Sequence, residues 1–413
     1  MSIFDISQPK DECDRKTRFI LILSTILKEP LFSMYNLTAF ILRKDLHASA
    51  FLIALLTMLR PMVSIFSYYY SYFGSAKLKD VKSNFIIANI LAILLFFIMP
   101  FNNSAIFLIL ASSIYIMFYR AASPSWIEMI KLNIPNKNRE KLFSFSSSIG
   151  YIEGIILAFI LGYLLKNKSV SYKGLYFFAA LISLANIFLL FKIPLRKVKD
   201  EKKIDTDTNL KILDPIKDGI DILKKDKNFN LFQIGFMISG FGLMLVQPII
   251  PILAVDKLNM SHQEFAIAIL VCRGLGYVIS SPIWGRIFSK LSILKLSSYM
   301  FLNTFVFMIF LSFSTFNILW FYIAYIIYGI TQAGSHLIWN MSGPVFSKGE
   351  DSSKYTSINV FMVAIRGAVA PLLGSLLILS FSLNNILLIG SMFCLYSAFI
   401  MHKKKILLFS KNN

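Results

Sequence analysis

The hydrophobic positions of this chain fall into twelve long runs, and short polar segments separate most of them. Each run is about long enough to cross a bilayer as a helix, which takes roughly 20 residues. We therefore predict an all-α polytopic membrane protein with twelve transmembrane helices. The runs lie near residues 18–42, 48–72, 84–101, 105–128, 142–165, 174–194, 229–254, 262–285, 296–313, 317–340, 355–380 and 384–401.

One polar segment is much longer than the other connections and divides the chain into two halves. The predicted order is a tail (1–17), a bundle (18–194), a linker (195–228), a second bundle (229–401) and a second tail (402–413). Within the linker, Ile216, Ile220 and Leu223 recur at helical spacing with lysines opposite. This spacing predicts an amphipathic helix, which lies either on the inner membrane surface or in solvent as part of the linker.

The two halves repeat each other at a fixed distance along the chain. Four pairs of similar or matching positions are each 213 residues apart: Arg60 and Arg273, Trp126 and Trp339, Lys141 and Lys354, and Glu153 and Arg366. Because all four pairs fall in corresponding runs, we predict a duplicated six-helix unit. Two pseudo-symmetric six-helix bundles of this kind are a standard transporter design.

Basic residues gather in every second connection, which predicts the orientation in the membrane. Both tails, the linker and the connections after the second and fourth runs hold most of them. The other side has only Arg43, Lys44, Lys166, Lys168, Lys173 and Lys257. By the positive-inside rule, both termini are then cytoplasmic. The net charge of +20 follows from this arrangement, so we expect no nucleic-acid partner.

Composition agrees with a membrane protein. The chain is 56% hydrophobic and only 15% charged, whereas a soluble domain is about a quarter charged. The first 17 residues have no apolar core, so we expect no cleaved secretory signal. Cys13 is separated from Cys272 and Cys394, which lie inside apolar runs, so we expect no disulfide framework.

Charged side chains inside the apolar runs are candidates for function. A charge at mid-membrane costs roughly 2.5–3.5 kcal/mol on insertion scales, so each one needs a partner, water or a ligand. The candidates are Lys28, Glu29, Arg60, Arg120, Glu153, Arg273 and Arg366. Five of them are basic, and this excess favours an anionic substrate.

Polar and aromatic residues form stripes at helical spacing on several runs. The tenth run has Tyr325, Tyr328, Gln332, His336 and Trp339 on one face; the fourth has Tyr115, Tyr119, Ser123 and Trp126; the first has Ser24, Lys28 and Tyr35. Together these stripes predict a polar, aromatic-lined cavity. For any single tyrosine the alternative is helix packing with a satisfied hydroxyl.

Several motifs resemble the major facilitator superfamily. Its loop between helices two and three usually reads Gly-x-x-x-Asp-x-x-Gly-Arg-Arg/Lys, and this chain has GSAKLKDVKSN with Asp80 but without the glycine-arginine ending. Gly285-Arg286 partly repeats the motif in the second half. The YRAASPSW segment around Arg120 resembles the helix-four arginine motif, and RGAVAPLLG resembles a glycine-proline motif of drug antiporters, although it lies in the eleventh run.

This resemblance implies roles for the candidates. In the superfamily, helices one, four, seven and ten line the central cavity, whereas two, five, eight and eleven form the contact between the halves. The substrate-binding candidates are Lys28, Tyr35, Tyr119, Arg120, Gln332, His336, Trp339 and Arg366, and the gating candidates are Arg60, Arg273 and Asp80. Arg366 lies at the seam between the halves, where its role is either ligand binding or gating. Lys28 has an alternative role in a salt bridge within its half.

The contact between the halves contains several candidate charges. Glu153 could pair with Arg273, since helices five and eight adjoin in the superfamily. Arg60 and Arg366 would meet across the other seam. There they either point apart, or an anion or Glu29 lies between them.

Proton coupling needs a titratable group, and the candidates are Glu29, Glu153 and His336. No phosphate-binding Gly-x-x-x-x-Gly-Lys loop and no metal-ligand cluster occurs in the sequence, so we expect no ATP, metal or other cofactor.

The functional hypothesis is a monomeric, non-enzymatic secondary active transporter of a small organic solute, which works by alternating access in a bacterial inner membrane. The alternative is a non-transporting sensor or assembly factor on the same fold, with a membrane enzyme as a third reading.

Overall fold

The computed structural model describes residues 11–77, 81–134, 136–167, 170–194, 214–288, 290–347 and 352–403. Within these ranges the chain is helical, with connecting turns and no strand. The helices are α1 (Glu12–Lys44), α2 (Ala50–Lys77), α3 (Val81–Ile93), α4 (Ala105–Asn133), α5 (Asn136–Lys166), α6 (Tyr172–Leu190), α7 (Asp214–Lys225), α8 (Lys227–Val246), α9 (Ile249–Ile252), α10 (His262–Ala266), α11 (Arg273–Phe288), α12 (Ile293–Phe313), α13 (Leu319–Ser347), α14 (Ser352–Leu377) and α15 (Leu383–Lys403). The all-α prediction is confirmed for the described residues.

Nine helical stretches in the described ranges are long and apolar enough to cross a membrane. Their outward-facing side chains include Phe188, Ile279 and Phe399, which are all more than half exposed. Large apolar side chains exposed all along these helices would be unfavourable in water, and a lipid environment accounts for them. The chain is therefore a multi-pass membrane protein.

Local interruptions shape the helices where the sequence pattern shows only continuous apolar runs. The third run was predicted as one segment, but α3 ends at Ile93 and two 3-10 turns follow, Leu94–Phe97 and Met99–Phe101. Pro100 lies in the second turn and has no backbone N–H to continue an α-helix. Two π-helical segments, Leu253–Lys257 and Ile267–Cys272, interrupt the second half.

The described residues divide into two compact units. The first contains those within Met1–Ile41 and Val63–Thr208, and the second contains those within Leu42–Met62 and Asn209–Asn413. The end of α1 and the first half of α2 thus pack with the second unit, whereas the sequence boundaries assign them to 18–194. Tyr176 is fully buried in the first unit. Its ring stacks on Phe96, and its hydroxyl lies 2.7 Å from the Thr38 hydroxyl.

The helix foreseen inside the linker is α7, and it packs onto the second unit. Ile222 and Leu223 lie against the core cluster that contains Phe229, Phe232 and Phe301. A Cβ at Gly219 would lie 3.2 Å from Ile358 on α14. The apolar face of α7 is therefore covered by protein at these positions. The rest of the linker, residues 195–213, falls outside the described residues.

Helices α11 and α13 touch through their backbones. A Cβ at Gly276 would lie 2.0 Å from the carbonyl oxygen of Ile326, and a Cβ at Gly329 would lie 2.1 Å from that of Arg273. Small residues at such crossings are how membrane helices approach closely. This contact fixes the position of Arg273 relative to the polar stripe on α13.

Candidate functional site

In the first unit, the stripes predicted on the first and fourth runs meet. The rings of Tyr35 and Tyr115 have centroids 5.4 Å apart, and Tyr115 lies 5.7 Å from Tyr119. Phe32 stacks on Tyr119 at 5.6 Å. Tyr35 is buried in this cluster, whereas Tyr119 and the neighbouring Arg120 are exposed. Helical spacing therefore indicated correctly which residues of α1 and α4 share a face.

Lys28 belongs to the same unit and lies beside aromatic rings. Its Nζ is 4.9 Å from the centroid of Phe85 and 5.7 Å from that of Trp126. Among the described residues, no carboxylate lies within ion-pair distance of this ammonium. The salt bridge considered as the alternative role of Lys28 is thus not found there.

A small cavity of about 20 Å³, enough for about one water molecule, adjoins Lys28. Its lining is Lys28, Asn89, Ala92, Ile93, Tyr115, Tyr119, Ser183, Asn186 and Ile187. The asparagines and Ser183 come from α3 and α6, which the sequence stripes did not include. The occurrence of amide side chains inside apolar runs was the sequence signal that could have identified the asparagines.

Glu29 faces a different helix from Lys28. Ser33 Oγ donates to Glu29 Oε1 over 3.2 Å, and a Cβ at Gly154 of α5 would lie 3.3 Å from the same oxygen. Gly150 and Gly154 therefore leave room for this carboxylate against α5. Glu153 is half-buried on α5, and its Oε2 has no hydrogen-bond partner among the described residues.

In the second unit, the stripe on α13 divides into packed and accessible parts. Tyr325 is buried, Tyr328 stacks on Phe307 at 4.7 Å, and Trp339 lies 6.2 Å from Phe236. Gln332 lies one helical turn after Tyr328, on the same face of α13. His336 is exposed, and its Nδ1 lies 3.4 Å from the Tyr277 hydroxyl oxygen.

Arg273 of α11 lies at the backbone crossing with α13, where its carbonyl oxygen faces Gly329, the residue after Tyr328. Arg273 and, more weakly, Arg60 of α2 are within electrostatic range of Tyr328. The π-helical segment Ile267–Cys272 ends directly before Arg273. Such segments shift the register of a helix and are frequent at functional sites. The second unit thus has a positively charged region with hydroxyl, amide and imidazole groups beside it.

Arg366 is buried on α14 against α8. Its Nη1 donates to the carbonyl oxygen of Phe236, and its guanidinium carbon is 5.3 Å from the centroid of that ring. The group lies over Gly240, where a Cβ would be 2.1 Å from Arg366 Cζ. Nε has no hydrogen-bond partner in the described part of the chain.

Pro61, the residue after Arg60, lies close to Gly367, the residue after Arg366. A Cβ at Gly367 would lie 2.1 Å from Cγ of Pro61. The guanidinium of Arg366 donates to the Phe236 carbonyl oxygen. How Arg60 and Arg366 are arranged relative to an anion stays a prediction.

The turn between α1 and α2 forms two ionic contacts that the sequence reasoning missed. Arg43 Nε donates to Asp256 Oδ1 over 2.9 Å, and Nη2 donates to Oδ2. Asp45 Oδ2 lies 2.7 Å from His262 Nε2. Arg43 and Asp256 are 213 residues apart, which is the offset of the internal repeat. This matching offset in the sequence could have been used to predict the contact between Arg43 and Asp256.

Two expectations stay open at this point. Asp80 lies outside the described residues. Within the described ranges, no group of three or more His, Cys, Asp or Glu side chains could hold a metal ion.

Comparison with known families decides the identity of the fold. The model of the Major Facilitator Superfamily matches residues 21–343 and 233–405. The chain belongs to the major facilitator superfamily. The resemblance drawn from the sequence motifs is thereby confirmed. A search of curated protein sequences finds no significant match.

Solved structures of this superfamily share the fold at low sequence identity. A structure of a POT family transporter in complex with 5-aminolevulinic acid has a TM-score of 0.74 and 12% identity, covering 97% of this chain and 98% of that one. The nucleoside transporter NupG has a TM-score of 0.69 and 14% identity, covering 94% and 100%. A peptide transporter POT in complex with sulfate has a TM-score of 0.71 and 9% identity, covering 94% and 93%. This superfamily member therefore has a transporter fold over its whole length.

Proposed function

We propose that this superfamily member is a secondary active transporter of a small organic anion, which works by alternating access and is coupled to protons. The observation that carries the proposal is the close crossing of α11 and α13, which brings Arg273 to the helix face that holds Tyr328, Gln332 and His336, with Arg60 in electrostatic range. Guanidinium groups with neighbouring hydroxyl and amide donors form a recognition site for carboxylate or phosphate. The twelve helices of the proposed arrangement form two pseudo-symmetric six-helix bundles in a bacterial inner membrane, with both termini cytoplasmic and the protein monomeric.

The roles proposed for individual residues follow their surroundings. The substrate-binding candidates are Lys28, Tyr35, Tyr119 and Arg120 in the first unit, and Gln332, His336, Trp339 and Arg366 in the second. Glu29, Glu153 and His336 are the proposed coupling residues, because each combines a titratable group with a place inside an apolar helix. Arg60, Arg273 and Asp80 are the proposed gating residues.

A ligand screen tests this function. Purified full-length protein is heated with nucleosides, dipeptides, 5-aminolevulinic acid, carboxylic acids and phosphate esters, which include the compound classes named for the similar structures. A substrate at 100 times its Kd should add about 2.7 kcal/mol of stability and raise the midpoint of unfolding. Compounds that do so are then tested for uptake into proteoliposomes under a proton gradient. We expect an anion to pass both tests.

Changing Gln332 and His336 together to leucine should abolish uptake without preventing membrane insertion. The matched control is Ile323→Leu, on an exposed apolar position of the same helix. Normal uptake by the double variant would make the stripe a packing feature. If no compound binds or enters the liposomes, the sensor or assembly-factor alternative replaces transport.

The ion pair between Arg43 and Asp256 makes a further gating prediction. Both side chains are partly exposed, so loss of the pair should cost at most about 1 kcal/mol of stability. Reversing one charge, in Arg43→Glu or Asp256→Arg, instead places like charges together and should lower uptake at least fivefold. The double reversal should restore most of the uptake. Lys44→Glu, at a neighbouring position with no ion pair of its own, is the control, and a double variant no better than either single one would refute the pairing.

A further inference from the structure

Lys28 is a half-buried charge with no carboxylate within ion-pair distance among the described residues. Its ammonium lies against the faces of Phe85 and Trp126, and such cation–π contacts contribute roughly 0.5–2 kcal/mol. This is less than the cost of holding a charge inside a membrane-spanning helix. An arginine cannot relieve that cost, whereas a lysine can do so by releasing a proton.

The described side chains that face Lys28 from the helices around it are all neutral. On its own helix, Glu29 is turned toward Gly150 and Gly154 of α5. The groups that face Lys28 from the other helices are Phe85 and Asn89 on α3, Tyr115, Tyr119 and Trp126 on α4, and Ser183 and Asn186 on α6. Arg120, next to Tyr119, is exposed and is itself a cation.

The cavity beside Lys28 is lined by a hydrogen-bond acceptor without a partner in the described part of the chain. Asn186 lines it, is only 1% exposed, and has no hydrogen-bond partner for Oδ1 in the described part of the chain. A buried acceptor of this kind costs about 1–3 kcal/mol when it stays unsatisfied. An ammonium swung from the aromatic faces into the cavity, or a water molecule held there, would satisfy it.

We propose that Lys28 carries the transported proton, with the cavity as its exchange site; the proposal rests on the transport function proposed above. In the release step, an N–H bond of the ammonium breaks, the electron pair stays on Nζ, and the proton passes to a water molecule in the cavity. The neutral amine then takes a proton from water that enters from the other side of the membrane. The ammonium is stabilised by the rings of Phe85 and Trp126, and the amine needs no counter-ion. Lys28, a substrate-binding candidate, is thereby added to the coupling candidates Glu29, Glu153 and His336.

Trp126 provides a direct readout of this proton, because Nζ lies 5.7 Å from its ring and a nearby charge changes indole emission. The full-length protein is titrated in detergent from about pH 5 to pH 10. The signal used is the part of the tryptophan emission that Trp126→Phe removes. We expect one reversible transition in the wild-type protein and in the exposed control Lys295→Arg. Lys28→Arg and Lys28→Met should both lose it, and Asn186→Leu should move its midpoint to lower pH, since the ammonium loses an acceptor.

Transport gives the second readout, with 5-aminolevulinic acid and the compounds that stabilise the protein as probes. Lys28→Arg keeps the positive charge but should accumulate the compound at least tenfold less under a proton gradient, whereas its exchange of internal for external compound should fall by a smaller factor. Gradient-driven accumulation equal to wild type in Lys28→Arg, or a fluorescence transition that persists in it, overturns the proposal. A flat titration in a wild-type protein that transports overturns the role of Lys28 alone. A wild-type protein that transports none of the compounds overturns the proposed function and the transport role together.

Discussion

Replacing Arg366 with alanine should weaken the binding of an anionic substrate by roughly a hundredfold, and replacing it with lysine should weaken it about tenfold. Removing one partner of a buried, hydrogen-bonded charge pair costs about 2–5 kcal/mol, and each 1.4 kcal/mol is a factor of ten. Arg366 is 7% exposed, donates through Nη1 to a backbone carbonyl, and keeps Nε without a protein partner among the described residues. Nε is therefore the donor available to an anion. Lysine keeps the charge but loses the planar group that holds carboxylate in two places.

The affinity is measured with the compound that stabilises the wild-type protein in the thermal screen. The competing explanation is that Arg366 only braces α14 against α8, in which case both variants lower the midpoint of unfolding and leave the affinity unchanged. Gly240→Ala separates the two roles further. It keeps Arg366 but pushes its guanidinium away from α8, since the added Cβ would lie 2.1 Å from Cζ. Unchanged affinity in all three variants would remove Arg366 from the binding site.

Replacing Gly276 with alanine should destabilise the protein by roughly 3 kcal/mol, the upper part of the range for overpacked sites. The new methyl group would lie 2.0 Å from the Ile326 carbonyl oxygen, and a backbone atom cannot move aside as a flexible side chain can. Helices α11 and α13 must then separate. Because Arg273 begins α11 and Tyr328 lies on α13, their separation should also reduce substrate binding. Thermal unfolding and the monodisperse fraction after purification measure the first effect.

Gly285 provides the matched control on the same helix. No atom lies within 4 Å of the position that its Cβ would take. Gly285→Ala should therefore be neutral or slightly stabilising, since alanine is favoured over glycine in a helix by up to about 1 kcal/mol. Gly329→Ala should behave like Gly276→Ala, because its Cβ would meet the Arg273 carbonyl oxygen from the opposite helix. Equal stability of the Gly276 and Gly285 variants would show that the two helices are not in backbone contact.

The sequence was sufficient to predict an all-α membrane protein and the faces of the candidate stripes. Apolar runs of membrane length admit few structures other than helices, because every backbone polar group must be satisfied within the segment. Helical spacing likewise places Tyr328, Gln332 and His336 on one face whatever surrounds them. The 3-10 turns after Ile93 and the π-helical segment before Arg273 were not predictable in this way, since hydrophobicity alone does not distinguish between helix types.

Contacts between helices were the part that required the structure. The sequence showed Lys28 as a charge in the first apolar run but could not show that its neighbours are Phe85 and Trp126 rather than a carboxylate. Nor could it show that Arg366 lies over Gly240, because both facts depend on how α1, α3, α4, α8 and α14 are rotated about their axes. Amide residues such as Asn186 are too infrequent along the chain to form a recognisable stripe.

The contact between Arg43 and Asp256 has a consequence for the history of the chain. The two residues are 213 residues apart, which is the offset predicted for the internal repeat and would make their positions equivalent. In an ancestor made of two identical copies, both positions would have carried the same residue, and a like-charged or neutral pair would have faced each other there. Opposite charges at equivalent positions can arise only after the copies have diverged. A protein assembled from two copies of the first half would therefore place arginine against arginine at this contact. Repulsion between these like charges would disfavour pairing of two first halves.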